Sequence, residues 1–250
     1  MPANDGLEPL FERPLSGEIV TRLPSALVPA RSPLKGWHVE LEPQNAEKHA
    51  HELYQAGHEG DEALRIWDYM LQGPWADVDA YTATLRQQSS SFDPVFYAIR
   101  SLQTGKACGQ ASFLDIQAQN GVIEIGAIWF GPELQRTRGA TEALFLMLCY
   151  AMDDLGYRRM QWRCNSLNQK SRQAARRLGF RFEGIFYNHL IFKGKNRDTT
   201  WYSILDDEWP EVRGIIERWL DPTNFDEDGA AKTSLFASMQ ERSTSARRHT

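Results

Sequence analysis

Apolar and polar positions alternate at Trp37, Val39 and Leu41, as on a half-buried strand. The period then lengthens: Asn45 opens a helical stretch over residues 45–57, and a second runs over 77–88. The connection between them concentrates rings, with Trp67, Tyr69 and Trp75 around Gly73 and Pro74. Strand-like runs follow at 95–100, 107–116 and 122–130, and the turn signals Thr104-Gly105 and Asn120-Gly121 predict an antiparallel meander. Residues 140–155 place Leu144, Met147, Leu148, Ala151 and Leu155 at helical spacing, with Gly156 where a left-handed cap belongs. A strand over 159–164 puts Met160, Trp162 and Cys164 on one face. Asn168 suits the start and Gly179 the end of a short helix. Strands at 180–192 and 199–205 flank the polar turn KGKNRD, and an amphipathic helix over 208–220 closes the series. The order predicts a mixed α/β domain over residues 36–221 with about six or seven strands and about four or five helices.

The ends have no such pattern. Residues 1–35 carry Pro2, Pro9, Pro14, Pro24, Pro29 and Pro33 and read as an extended arm with room to pack on the core. Residues 222–250, small and polar from Asp226 onward, are expected to be a disordered tail.

Composition narrows the class. With 42% hydrophobic and 24% charged residues the chain is neither fibrous nor wholly disordered. A core of this size buries roughly 70–75% of the unfolded surface, so no disulfide or metal is required for stability. Cys108, Cys149 and Cys164 lie in apolar stretches and read as reduced, buried thiols. The net charge of −5 gives no electrostatic case for a nucleic-acid or membrane partner. The longest apolar run, 143–152, is about half of a membrane span, and MPANDGLEPLF has no signal-peptide pattern, so the expected location is cytoplasmic.

No nucleophile elbow, P-loop, HExxH, CxxC or dinucleotide fingerprint occurs. His49 and His51, two residues apart on a helix, face different ways; with His58 they read as solvated rather than as metal ligands, and no metal is expected. The informative stretch is GVIEIGAIWFGPELQRTRGATEALFLML, residues 121–148. A strand ends at Phe130, and a loop with Gln135, Arg136, Arg138 and Gly139 runs into a long helix. Unpaired N–H groups at such a helix start suit a pyrophosphate, and the two arginines add charge; a merely solvated basic helix start remains the other reading.

This segment resembles the acyl-CoA-binding motif Q/R-x-x-G-x-G/A of the GCN5-related N-acetyltransferases, above all the ribosomal-protein-alanine acetyltransferase-like branch. There the motif runs directly into Thr-Glu-Ala, here Thr141-Glu142-Ala143. Asn168-Gln169-Lys170-Ser171, Ala175, Leu178-Gly179-Phe180 and Glu183-Gly184 match the same branch downstream. The resemblance spans roughly residues 37–205 and implies a mostly antiparallel, V-splayed sheet with acetyl-CoA in the splay. One position departs: Arg138 stands where the family has its first glycine in Gln135-Arg136-Thr137-Arg138-Gly139-Ala140. Either its side chain displaces the phosphate cradle or its guanidinium grips a phosphate.

The resemblance implies acetyl transfer from acetyl-CoA to a primary amine, a peptide N-terminus or a small molecule, by direct attack. Glu124 is the candidate base and acceptor contact, sharing a face with Val122, Gly126 and Ile128; pairing with a cross-strand Lys or Arg is its alternative. The family's oxyanion donors map to the backbone of Ile128, Trp129 and Phe130. Ser171 maps to the group beside the CoA sulfur, with Asn165 and Asn168 on pantetheine and residues 135–140 with Thr141 on the phosphates; a first-turn hydroxyl is the plainer reading of Ser171. Tyr187 is a second candidate acid, or packing. Trp67, Tyr69 and Trp75 are expected to line the acceptor side, or else to pack in the core. Two further readings stand beside the enzyme: a catalytically silent acyl-CoA-binding or interaction module on the same fold, and homodimer pairing through the last strands.

Overall fold

The computed structural model describes Val20 and residues 27–246. Eight strands form one sheet: β1 (Leu34–Lys35), β2 (Val39–Pro43), β3 (Val95–Ser101), β4 (Ala107–Gln117), β5 (Val122–Phe130), β6 (Arg159–Asn165), β7 (Arg181–Phe192) and β8 (Lys195–Leu205). Their order is β1-β2-β3-β4-β5-β6-β8-β7, antiparallel at every pairing except β5 with β6. Alternation sends successive side chains to opposite faces. Tyr97 and Ile99 of β3 join a large cluster with the helices α4 (Arg138–Cys149) and α6 (Trp209–Leu220). Ala98, between them, joins a smaller cluster with α1 (Ala46–His58), α3 (Val78–Ser90), Trp67 and Trp129. Helices therefore cover both faces, with α2 (Asp61–Leu64), α5 (Gln169–Arg177) and α7 (Leu235–Ala246) completing the set.

Local chemistry sets the helix starts. Asn45 Oδ1 accepts from the Lys48 amide, Asp77 Oδ1 from Ala80 and Asn168 Oδ1 from Ser171, each satisfying an N–H that no helical carbonyl reaches.

One irregularity opens the sheet. β5 and β6 pair only from Val122↔Arg159 to Glu124↔Gln161. Past that point the β4–β5 register shifts between Gln110 and Ser112, opposite Ala127, which takes a left-handed φ of 48°. An extra residue of this kind bends its strand, and β5 leaves β6. Side chains of β4 secure the bend: Gln110 Nε2 donates to Ala127 O at 3.2 Å and Ser112 Oγ to Gly126 O at 3.0 Å. Gln44 Nε2 holds Gln110 Oε1 at 2.8 Å from behind.

Several expectations are corrected. Strands number eight and helices seven among the described residues, above the six or seven and four or five expected, because β1, α2 and α7 carry too little local pattern. The tail is not disordered from Asp226: α7 packs Leu235 and Met239 into the core, and residues 247–250 lie outside the described part. The arm keeps the packing its sequence left open: its described end docks on the core, with Ala30 N donating to Tyr150 Oη and Tyr97 Oη to Ala30 O, and residues 1–19 and 21–26 lie outside the described part. β8 begins at Lys195 instead of 199, because Lys193 and Gly194 both take positive φ (46° and 74°) and close a two-residue turn. His49 is not solvated: it is buried, with Nε2 2.6 Å from Glu42 Oε2 and Nδ1 accepting from Asn45 N. His58 is half-buried, stacked on Tyr54 at 4.1 Å, while His51 is exposed.

Candidate active site

The parting of β5 and β6 leaves a cleft of about 720 Å³ that runs from α5 across the sheet to the aromatic connection. Glu124 stands at the last paired position, 3% exposed, with Oε2 ion-paired to Arg163 Nε. Asp115 Oδ2 holds the same guanidinium at 3.6 Å, and the Trp201 ring lies 4.8 Å from it. Burial pushes the Glu124 carboxyl up to about 7, while Arg163 pulls it down. Both readings of Glu124 therefore meet in one residue: it has the cross-strand arginine, and burial still outweighs the ion pair. A carboxyl titrating near neutrality is suited to taking a proton at physiological pH.

Toward α5 the cleft is lined by Trp162, Cys164, Asn165, Asn168 and Ser171. Ser171 Oγ accepts from Trp162 Nε1 at 3.0 Å, which fills one lone pair and keeps the O–H for donation. Asn168 caps Ser171's own amide, and Asn165 Oδ1 accepts from Leu167 N at 2.9 Å, so both side-chain oxygens serve their loop. Along β5, Ala127, Ile128 and Trp129 line the cleft; Phe130 does not, and its carbonyl accepts from Gln135 Nε2.

The α4 junction lies outside this lining. Thr137 caps α4 by accepting from Ala140 N, and among the described residues no acceptor meets the amides of Arg138 and Gly139. Those amides fit a phosphate. Arg136 takes a left-handed φ of 62° in the approach. The Arg138 guanidinium faces elsewhere: Nη2 donates to Leu220 O, and its carbon lies 4.1 Å from the Phe225 ring centroid. Gly139 has a packing role, because a Cβ there would stand 3.0 Å from Val39 Cγ1. Thr141 Oγ1 accepts from Arg177 Nη1.

The aromatic connection lines the cleft through Trp67, Tyr69 and Trp75, and the two tryptophans also pack edge-to-face at 5.0 Å, leaving no parallel cage. Trp67 is 2% exposed and donates to Gly57 O; Tyr69 Oη reaches Leu167 O at 3.3 Å. Tyr187 is corrected on both readings: it neither lines the cleft nor packs, being 74% exposed where the β7–β8 register slips. Arg163, Arg197, His189 and Gln110 also line the cleft, and sequence reading missed them. Only Arg163 had a signal, as the cation sought opposite Glu124.

A family profile described as an acetyltransferase (GNAT) domain matches residues 38–181. The chain belongs to this family. A crystal structure of a GCN5-related N-acetyltransferase from Brucella melitensis is 43% identical, covering 85% of this chain and 96% of that one, with a TM-score of 0.83. YdaF of Bacillus subtilis, named as a candidate ribosomal N-acetyltransferase, is 28% identical over 68% of this chain and 90% of its own length. The microcin C7 self-immunity acetyltransferase MccE, solved with acetyl-CoA and AMP, shares the fold alone at 22% identity, 68% and 93% coverage and a TM-score of 0.58. The GNAT chain is thus an acyltransferase. Its cleft, splayed strands and unpaired α4 amides fit acetyl-CoA, and no group of metal-ligating side chains occurs among the described residues. No helix among them is long and apolar enough to cross a membrane.

Proposed function

We propose that this GNAT enzyme acetylates a primary amine, a peptide N-terminus or a small-molecule amine, by direct attack within a ternary complex. The observation that carries the reading is Glu124: a buried carboxyl near neutrality, fixed by Arg163, in the cleft that Ser171 and the aromatic connection also line. Acetyl-CoA supplies an acetyl group activated as a thioester. Glu124, directly or through water, takes the proton the amine must lose; an α-amino group of pKa about 7.7–8.0 asks little more than this. Backbone N–H groups of Ile128 and Trp129 hold the oxygen on which charge builds. Ser171 O–H serves the departing sulfur, and the amides of Arg138 and Gly139 hold the phosphates. The aromatic connection orients the acceptor. The name of YdaF, a candidate ribosomal N-acetyltransferase, favours a ribosomal amine among the acceptors.

Calorimetric titration with acetyl-CoA, then thiol release with a panel of peptides and amines, tests the reading. Saturable binding and acceptor-dependent thiol release are expected. Binding without turnover on any acceptor would favour the silent module. A second copy of the chain has its natural place along β7, the sheet edge, where Phe186, Tyr187 and Ile191 are exposed; light scattering reports it.

A further inference from the structure

Three charged side chains line the cleft, and two of them, Glu124 and Arg163, account for each other. Arg163 holds Glu124 and Asp115 together. Arg197 lines the same cleft and has no counterpart: among the described residues no carboxylate or carbonyl meets its guanidinium, and its Nε is shut off from water without a partner. The Phe192 ring lies 5.8 Å away. Buried donors are nearly always satisfied, and a planar guanidinium matches a carboxylate or phosphate in particular. Desolvation accordingly pulls its pKa below the ordinary guanidinium value, with Cys164 and Glu124 opposing and Arg163 adding to the fall.

Position says which ligand brings the missing charge. Arg197 pairs with Leu190 across the β7–β8 hairpin, whose tip residue Lys193 donates through Nζ to Trp67 O and Gly73 O, both at 2.9 Å. The hairpin that carries Arg197 is therefore fastened to the aromatic connection, the part of the cleft proposed above to orient the acceptor. The unpaired α4 amides that fit the phosphates of acetyl-CoA do not line this cleft. We infer that Arg197 is the counter-charge for an anion on the acceptor, so that the enzyme takes primary amines carrying a carboxylate or a phosphate. This names the substrate class of the acetyl transfer proposed above and rests on that reading.

The test uses matched pairs on the full chain: an amino acid and its amide, O-phosphoethanolamine and ethanolamine, and peptides beginning Ala-Asp and Ala-Asn. Each pair is compared by calorimetric binding in the presence of CoA and by kcat/KM for thiol release. In at least one pair the anionic member is expected to lead tenfold or more, and the pair that does identifies the anion's source. Arg197→Ala should bring that ratio to about one, Arg197→Lys should restore part of it, and Lys195→Ala, on the exposed end of β8, should leave it intact. Equal members in every pair, no saturable binding of any anionic amine, or a ratio that survives Arg197→Ala overturns the inference. So does an Arg197→Ala variant that loses acetyl-CoA affinity while keeping the ratio. The binding arm reads the anion preference even if no acceptor turns over, so failure of acetyl transfer and failure of the Arg197 assignment give different results.

Discussion

At Glu124 burial and neighbouring charge pull one proton in opposite directions. Burial favours the neutral acid, Arg163 favours the carboxylate, and burial prevails enough to set the pKa at about 7. A base works only when ionised, so kcat/KM for a peptide acceptor should rise with pH through about 7. A second rise is expected near about 8 from the acceptor's α-amino group. Glu124→Gln should lower kcat/KM by about 10²–10⁴ and abolish the lower limb while leaving the upper one. Arg163→Met should move the lower limb to higher pH, because it removes the cation that favours ionisation. A pH–rate profile of Glu124→Gln that keeps both limbs would exclude Glu124 as the base. Stability carries the same signature with the opposite use. A carboxyl whose folded pKa lies above 4.5 contributes fully below pH 4.5 and loses that contribution as pH rises through about 7. Denaturant melts should therefore show Glu124→Gln gaining on the parent across that window.

Glu142 shows how one buried side chain joins elements distant in sequence. Its oxygens accept from the amides of Trp37, His38 and Val39 at 2.9, 2.7 and 3.1 Å, pinning the β1–β2 turn to α4. Glu142→Ala strands three donors at once and should cost about 2–4 kcal/mol in denaturant unfolding, with Glu142→Gln recovering part of it. Glu42 joins β2 to α1 and β3 in the same manner: burial raises its pKa, but bonds from Lys48, Arg100 and His49 bring it to about 2. Its stabilising effect, present above about pH 4.5, should be lost as pH falls toward 2; Glu42→Gln should flatten that part of the acid-unfolding curve. These ties explain what was legible in the sequence. The caps at Asn45, Asp77 and Asn168 and the alternation of the longer strands are local signals, and they located their elements. The two-residue β1 is held by a carboxylate over a hundred positions away, which no window around Leu34 shows. α7 was unreadable for a like reason. Its buried Arg242 is held by Glu208 and Glu211 of another helix's first turn, so local composition gave only a polar tail. At the site, Glu124 and Ser171 were visible through a resemblance, whereas Arg197 becomes visible only when the hairpin register brings it into the cleft.

Across the whole molecule, the C-terminal segment braces α4 and α5, the two helices proposed to hold acetyl-CoA. Phe225 and the Leu220 carbonyl receive Arg138 from the first turn of α4. α7 packs behind α5, with Met239 Sδ 3.2 Å from where a Cβ on Gly179 would stand and Arg242 Nη1 3.3 Å from Gly179 O. Ending the chain after Leu220 removes the buried Leu235 and Met239 and leaves Glu208 without one of its two arginines. Burial of the two apolar side chains stabilises by about 1.5–3 kcal/mol each, so the truncated chain should lose at least about 3 kcal/mol of stability. A melting temperature within about 2 °C of the full chain would mean that the segment is an appendage. Arg138 divides the two possible meanings of this brace. If its guanidinium serves the C-terminal segment, Arg138→Ala should lower the melting temperature while acetyl-CoA binds within about threefold of the parent affinity, because the helix-start amides are untouched. If instead it swings to a phosphate when the cosubstrate arrives, the same variant should lose tenfold or more, about 1.4 kcal/mol, in calorimetric affinity. The geometry of Leu220 and Phe225 supports the first outcome, in which the arginine at the family's glycine position ties the C-terminal segment to the helix whose first amides are proposed to hold the phosphates.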